Sequence, residues 1–515
     1  MKTRTHFLPV CTGLLLIANT AFGQLGASGG QTTGAQATQL PLSGRTSETG
    51  GVTASQAPVA GTTNSVNTIN PSVQAQGPYA GSSNSTGKMP FSGKLSMRDA
   101  IARGLQYNLG TVGLTLAMQQ ARGQERIVRS SLLPNVNGTV SENVQQVNLR
   151  AQGLRISSSI PGFSIPAIVG PFNSFDLRAR LTQTVADMTA LNNYRSAKET
   201  VRANELFGQD SKDLVVLAVG GAYLQAIAAA ARVESARVQL ETANALYNQT
   251  SQQHGVGLLA QIDVNKSEVQ MLTQKQRLSS LRNDLAKQKI NLARLTGLPP
   301  NDRFELTDDV PFAAAPVPGQ EDAVAQALMQ RPDIKASAAQ IRAAARTLAA
   351  ARAERLPSLA LSADYGVIGT NPAQSHGTFS VTGTLRIPIW QGGRTEGDIE
   401  EANAALAQRR AELEDLKSRV ESEVRNAFLD LEAAAGQVDV ARRNLDVTRD
   451  TLTLTRQRLE AGVTDTVEVS QALSSMASAE LDYINSVFAH NMAKLALARA
   501  SGGAVESLPR YLEIH

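Results

Sequence analysis

Short stretches of the chain alternate apolar and polar residues, and this alternation predicts four β-strands. In the segment 379–389 five of the six alternate positions are apolar and the sixth is Gly383, and serine, threonine or arginine stands between them as far as Pro388. The segments 175–185, 359–367 and 136–144 repeat the pattern, although Glu142 falls on the apolar parity of the last. A run of about 9–11 residues with one apolar face has the length of a transmembrane strand. Strands of soluble sheets alternate in the same way, so the pattern alone leaves both kinds of sheet open.

Longer segments place apolar residues three and four positions apart, a spacing that predicts amphipathic helices. The segment 394–459 contains no proline, and as one helix it would extend roughly 100 Å. Small alanine-rich seams along it favour close packing of helices. The predicted helices are 97–131, 191–254, 260–296, 322–354, 394–459 and 465–500.

The same order of elements occurs twice, which indicates an internal duplication. Several short matches recur at two constant offsets, a larger one early in the repeat and a smaller one later. The pairs at the larger offset are 99–102 with 322–325 and 133–134 with 356–357. Those at the smaller offset are Gly257 with Gly462 and 296–297 with 501–502. Glycine-rich hairpins of unequal length, about 145–174 and 368–378, account for the change of offset.

Residues 1–23 have the features of a signal peptide. Two basic residues precede a short apolar stretch, and Ala21-Phe22-Gly23 has the form of a signal-peptidase site. Cys11, the only cysteine, lies within this leader and follows Val10, whereas a lipoprotein signal requires a small residue there. The mature chain is therefore predicted to have no thiol, disulfide or thiolate metal site.

Composition divides the remainder into segments. Residues 24–94 hold four charges among glycine, serine, threonine and glutamine, which predicts a flexible tail. We expect the two repeats at 95–298 and 321–503, joined by a proline-rich linker at 299–320 and followed by a C-terminal tail at 504–515. Beyond the leader, we expect no stretch that could form a membrane-spanning helix.

Composition and charge narrow the class of function. Aromatic residues make up only 4% of the chain, which is typical of long thin helices rather than thick globular cores. The formal charge of +4 comes from interspersed basic and acidic residues, so no nucleic-acid partner is expected. Five scattered histidines and the lack of a phosphate-binding glycine loop give no indication of an enzyme, a cofactor or a metal.

Four strands cannot close a membrane barrel, and an open sheet edge is not viable in lipid. Three copies of the chain would supply twelve strands, an even number within the range of bacterial barrels. A soluble periplasmic coiled-coil adaptor or a fibrous protein is the alternative, because either would use long helical hairpins. Neither alternative accounts for four strands of membrane length or for the duplication.

Three motifs carry a resemblance to a known family. Residues 388–394 (PIWQGGR) are similar to a strand-to-helix junction, and 256–264 and 461–469 are similar to two hairpin tips. With the order of elements, they make residues 95 to 503 resemble the TolC-like outer-membrane efflux proteins. The resemblance implies a homotrimer in which a twelve-stranded β-barrel in outer-membrane lipid, with four strands per chain, continues into a long periplasmic α-barrel. The fold class would be mostly α with membrane β.

The resemblance also implies partners and a role. Such a duct exports small molecules or polypeptides in a tripartite efflux or type I secretion system. It docks to a periplasmic adaptor (a membrane fusion protein) and to an inner-membrane transporter of the RND or ABC type. The hairpin tips would contact the adaptor, through Val256, Gly257, Leu258, Gly462, Val463 and Thr464.

Two acidic residues just beyond the tips, Asp263 and Glu468, would line the entrance constriction. Some members of the family have an aromatic residue and an arginine around the second tip, where this chain has Leu459 and Thr464. A single acidic ring at Glu468 is therefore expected, and such a ring would favour cations. We expect Trp390 to anchor the barrel rim at the membrane interface, with ordinary packing as the alternative.

Overall fold

The computed structural model describes residues 51–59, 68–83, 91, 93–151, 153, 166–301, 303–308, 312 and 319–505. All of them belong to one of the two compact units into which the chain divides, Ser47–His515. The predicted signal peptide, the apex of the first glycine-rich hairpin, part of the linker and most of the C-terminal tail lie outside the described residues.

Within the described residues the chain forms eight strands and eight α-helices. The strands are β1 (Val52–Val59), β2 (Thr68–Ala75), β3 (Lys94–Leu95), β4 (Asn135–Asn148), β5 (Ile168–Ala186), β6 (Glu305–Leu306), β7 (Ser358–Gly369) and β8 (His376–Arg386). The helices are α1 (Met97–Tyr107), α2 (Leu109–Ser130), α3 (Met188–Gly255), α4 (Gln261–Thr296), α5 (Gln320–Gln330), α6 (Pro332–Ala353), α7 (Arg394–Glu460) and α8 (Thr466–Ala500).

The four long strands form one antiparallel sheet in the order β4-β5-β7-β8. Its register places the apolar positions of all four strands on one face, as the alternation predicted. Leu177 lies opposite Val140 on one side and Val367 on the other, and Tyr365 lies opposite Phe379. These apolar side chains are mostly exposed in the single chain, which suits a face turned towards lipid.

The opposite face of the sheet is polar and carries a small ion network. Arg178 contacts Asp364 at 2.7 Å and Asp176 at 3.2 Å, and it thereby links β5 to β7. A water-filled interior tolerates such charges, whereas lipid does not. Glu142 is the exception that the sequence showed, because it lies opposite Phe175 on the apolar face.

The strand ends differ from the prediction at three places. The first glycine-rich hairpin is shorter than 145–174, because β4 continues to Asn148 past a bulge and β5 begins at Ile168. The second loop is also shorter than 368–378. At the other end, β8 stops at Arg386 rather than at Ile389, because Pro388 has no N–H to donate to a ladder.

The helix that precedes each pair of strands is broken, so the predictions of single helices over 97–131 and 322–354 were wrong. The breaks fall at Asn108 and Arg331, which have non-helical backbone angles and occupy equivalent positions in the two repeats. Asn108 accepts a hydrogen bond from the N–H of Gly110 and so caps α2. Pro332 disfavours helical geometry at Arg331, the residue before it.

The four hairpin helices confirm the predicted ranges to within three residues at each end. The side chain of Asp187 caps α3 by accepting hydrogen bonds from two backbone N–H groups, and Asp465 caps α8 in the same way. Helix α3 packs against α4, α6 and α8, and α7 packs against α8 and α6. These helices therefore form one layer in which α4 and α7 lie at opposite sides.

One stretch of α3 is apolar enough to span a membrane by length and composition, contrary to our expectation from the sequence. An 18-residue window reaches a mean hydropathy of 2.0, yet 78% of that window is buried inside the protein. It includes Val215, Val219 and Tyr223, which lie in the largest hydrophobic core. The segment is therefore apolar because it is the central helix of the fold.

The prediction of a flexible tail over 24–94 was wrong for its described part. Strands β1 and β2 form an antiparallel hairpin, a short helical turn follows at Gly77–Ala80, and β3 pairs in parallel with β6. Val52 and Tyr79 are buried. The segment has few bulky side chains, but two of them, Val73 and Tyr79, pack against glycines of the helices, Gly221 and Gly110.

Candidate functional site

The two hairpin tips have the same backbone geometry. Gly257 and Gly462 have φ angles of +78° and +71°, and nothing lies within 4 Å of the position that a Cβ would take at either. Glycine is therefore required there by the left-handed backbone and not by close packing. In both tips the residue after this glycine donates a backbone hydrogen bond to the residue five positions earlier, Leu258 to Gln253 and Val463 to Arg458.

Apolar side chains project from both tips into solvent. Val256, Leu258 and Val463 are 72%, 74% and 68% exposed. Exposed apolar side chains clustered at one end of a molecule are typical of a surface that contacts another protein. The structure thus brings together the predicted adaptor-contact residues of both hairpins at one end of the helical layer.

Asp263 links the first tip to the second. It lies in the first turn of α4, and the hydroxyl of Thr466, in the first turn of α8, donates to its Oδ1 at 3.4 Å. Lys266 Nζ lies 3.6 Å from the same oxygen. The carboxylate of Asp263 is therefore shared between a neighbouring cation and the other hairpin.

Glu468 occupies the equivalent position in α8 but has a stronger partner. Arg458, from the last turn of α7, lies 2.8 Å from Glu468 Oε1, and the hydroxyl of Thr464 donates to Oε2. The sequence indicated an acidic ring without its own cation. Sequence reasoning did not identify Arg458 as the partner of Glu468, because the two residues lie on opposite sides of the tip turn. The common ion pairs within one helix are three or four residues apart.

Polar grooves lie on both sides of the first turns of α8. One, of about 210 Å³, runs between α7 and α8 and is lined by hydroxyl groups and Glu468. The other, of about 250 Å³, lies between α8 and the first hairpin and is lined partly by Lys266. Gln471 faces both grooves. The tip region therefore offers hydrogen-bonding surfaces beside its apolar points.

Trp390 lies far from the tips, in the connection between β8 and α7. Its side chain is 86% exposed, and that of Ile389 is 95% exposed. Helix α7 has 67 residues, so about 100 Å of helix separates Trp390 from the second tip. An exposed indole at the junction of sheet and helix suits contact with a membrane interface.

Comparison with known proteins decides the family. The family model described as outer membrane efflux protein matches residues 114–298 and 323–503, one segment in each repeat. The chain belongs to the outer membrane efflux protein family. The two matched segments correspond to the duplication inferred from the sequence.

Relatives of this efflux protein cover most of its length. It is 26% identical to the outer membrane protein OprJ of Pseudomonas aeruginosa over 444 residues, which are 81% of this chain and 86% of OprJ. The identity to the pyoverdine export outer membrane protein OpmQ of Pseudomonas putida is 27% over 345 residues, 65% and 68% of the two chains.

Solved structures show the same fold. The CmeC outer membrane channel of Campylobacter jejuni superposes with a TM-score of 0.67 at 16% identity, covering 81% of this chain and 89% of CmeC. The open MtrE channel of Neisseria gonorrhoeae gives 0.66 at 17% identity, covering 85% and 98%.

The comparisons establish the class of function. This efflux protein is an outer-membrane exit duct with a large periplasmic helical portion, and its family consists of channel proteins. The alternative of a soluble adaptor or a fibrous protein is excluded. Among the described residues, no group of three or more histidine, cysteine, aspartate or glutamate side chains could hold a metal ion.

Proposed function

We propose that three copies of this efflux protein form the outer end of a tripartite pump. Their sheets would close a twelve-stranded barrel in outer-membrane lipid, and their helices would continue it as a periplasmic α-barrel. The tips would dock on a periplasmic adaptor, which connects the duct to an inner-membrane transporter of the RND or ABC type. The unpartnered edges of the single chain carry this proposal.

The sheet has two such edges. Within the described residues, β4 and β8 each pair with one neighbour only, so each leaves a row of backbone groups without a partner. In lipid these groups must be satisfied by another strand. Pairing β8 of one copy with β4 of the next supplies that strand, and three copies close the ring.

The helical layer has matching edges. Exposed apolar residues recur at seven-residue spacing on α7, at Val440, Val447 and Leu454, and on α4, at Ile262 and Val269. Val269 lies about two turns beyond the first tip, and Leu454 about two turns before the second. Packing α7 of one copy against α4 of the next would bury both stripes, as in a coiled-coil seam.

The tips provide the test of docking. We expect Leu258→Asp and Val463→Asp to reduce co-purification with the adaptor, and resistance to exported compounds, on the order of tenfold, because a charge would replace an apolar anchor. Pull-down with a tagged adaptor and growth in the presence of the compounds measure this. Met329→Asp changes a side chain that is 76% exposed on α5 and is the matched control. Undiminished pull-down by both tip variants would contradict docking through the tips.

The entrance provides a second test, because Glu468 and Arg458 carry opposite charges. Three copies of Glu468 near the axis would bind a blocking cation, and Arg458 would weaken that binding. In planar bilayers we expect Glu468→Ala to weaken block by hexamminecobalt on the order of tenfold, and Arg458→Ala to strengthen it. Equal block in the wild type and both variants would rule out a charged constriction at this position.

We also propose that Trp390 anchors the rim of the barrel at the membrane interface. Its exposure and its position directly after the transmembrane strand β8 support this role. No cofactor takes part in the proposed conduit, and the inner-membrane transporter would supply the energy for export.

A further inference from the structure

Residues 72–83, here called the strap, are docked on the first repeat by two glycine notches. A Cβ at Gly221 in α3 would lie 2.5 Å from Val73 Cγ2. A Cβ at Gly110 in the first turn of α2 would lie 2.6 Å from Tyr79 Cε1. A side chain at either glycine would collide with Val73 or Tyr79, so the two notches are the places where these strap side chains fit.

Hydrogen bonds hold the strap at the helix break. A break leaves backbone groups without partners inside the helix, and the strap supplies partners for them. The bonds run from Asn108 Nδ2 to the carbonyl of Tyr79 (2.9 Å), from the N–H of Leu109 to the carbonyl of Gly81 (2.9 Å), and from the N–H of Ser83 to the carbonyl of Tyr107 (2.8 Å).

The second repeat fills the equivalent place with its own side chains. In the second repeat, Arg331 occupies the position that corresponds to Asn108, and Asp333 the position that corresponds to Gly110. Arg331 is buried and contacts Asp333 at 2.7 Å. The duplicated helix breaks have therefore diverged, and only the first can accept the strap.

The strap and the hairpin that leads into it also touch the second repeat. Val73 and Ala75 pack against the largest core, and Val52 is part of it. That core contains residues of α3 together with Phe488 and Met492 of α8. The N-terminal segment thus lies on a helix from each half of the chain at the same time.

We propose that the strap is a lock that joins the two repeats. It is an intramolecular ligand of the first repeat, it ties α3 to α8, and it stays seated while the duct conducts. The lock lies within the folded protomer, so cleavage and cross-linking of the strap do not depend on the cargo or on the partner proteins.

Chymotrypsin provides the first test, because Tyr79 is the only aromatic residue in 51–83 and is buried. We expect the double variant Asn108→Arg/Gly110→Asp, which copies the second repeat, and Gly221→Val to be cut after Tyr79 at least about tenfold faster than the wild type. The rate of cleavage measures the fraction of molecules in which the strap has left its seat. The purified full chain is digested, and the released N-terminal fragment is identified by mass spectrometry.

Two controls come from the same helices. Gly113 in α2 and Gly208 in α3 have nothing within 4 Å of the position that a Cβ would take, so Gly113→Ala and Gly208→Ala should leave cleavage after Tyr79 unchanged. Wild-type cleavage rates in both notch variants would overturn the proposal.

A cysteine pair tests the lock by fixing the strap in its seat, and it serves if the notch variants fail to fold. Replacing Val73 with cysteine removes the branched side chain that fills the notch. The Cβ of Val73 lies 3.0 Å from the position of a Cβ at Gly221, so a disulfide, whose Cβ atoms are about 3.5–4.5 Å apart, forms after a small outward shift of the strap. The mature chain is predicted to contain no other cysteine. We expect the variant Val73→Cys/Gly221→Cys to form a disulfide. We also expect cells that carry it to keep their resistance to exported compounds within twofold of the wild type. A strap that stays seated would be contradicted if the cross-link did not form. It would also be contradicted if the cross-linked protein lost resistance to exported compounds and a reductant restored it.

Discussion

Replacing Val447 with aspartate is expected to abolish the trimer while leaving the helical content of the chain unchanged. Val447 lies in the exposed stripe of α7 that would pack against α4 of the next copy. Three-fold symmetry would place a carboxylate in each of three interfaces, at a cost of several kcal/mol apiece without a partner. The heat-modifiable trimer band on gels and the mass in detergent measure the assembly.

Two further variants test whether this result is specific to the exposed stripe of α7. Val447→Ile keeps an apolar side chain of similar shape and should assemble normally. Leu272 is an exposed residue of α4, and it lies as far from the first tip as Val447 lies from the second. Leu272→Cys/Val447→Cys should therefore form covalent dimers and trimers. An aspartate variant that still gives a heat-modifiable trimer would rule out this contact.

Arg331→Leu is the second substitution with a large expected effect, a loss of about 3–5 kcal/mol in the free energy of unfolding. Arg331 contacts Asp333 at 2.7 Å and Glu423 at 2.6 Å, and its side chain is 2% exposed. Burial raises the pKa of Asp333, but the hydrogen bonds and charge of Arg331 outweigh it and hold that pKa below its usual range. Without Arg331, a buried carboxylate would lose its main partner.

The energetic origin of this effect can be separated by further variants. Adding Asp333→Leu to Arg331→Leu removes the orphaned charge, so the double variant should be more stable than the single one. Glu423→Gln should cost about 1 kcal/mol or less, because the Glu423 side chain is 45% exposed and solvent screens it. Denaturant unfolding followed by circular dichroism measures all three. A loss below about 1 kcal/mol for Arg331→Leu would contradict a structural role for the pair.

Local periodicity was sufficient to predict the hairpins and the faces of the sheet. The alternation around Leu177 and Tyr365 assigns each residue to a face before any pairing is known, and the observed register agrees with that assignment. The tips were recognisable from Gly257 and Gly462, because a left-handed turn after a long helix is a strong local signal.

Features that depend on distant residues were not predictable in this way. Asn108 lies inside an apolar pattern that continues through it, so no local signal marks a break there. The break at Arg331 is marked by Pro332, and only the correspondence between the two repeats could have transferred it to Asn108. Arg458 and Glu468 pair across a turn. The strap depends on a missing Cβ at Gly110 and Gly221, which periodicity treats as ordinary helix positions.

The hairpin helices have nearly equal lengths in the two repeats, 68 and 67 residues for α3 and α7, and 36 and 35 residues for α4 and α8. Both tips must end at one level, because Thr466 of one contacts Asp263 of the other. Insertions and deletions in these helices should therefore be tolerated only in concert. Removing one heptad from one helix demands the same removal from the other three, so the reach of the duct into the periplasm can change only in steps of about two helical turns.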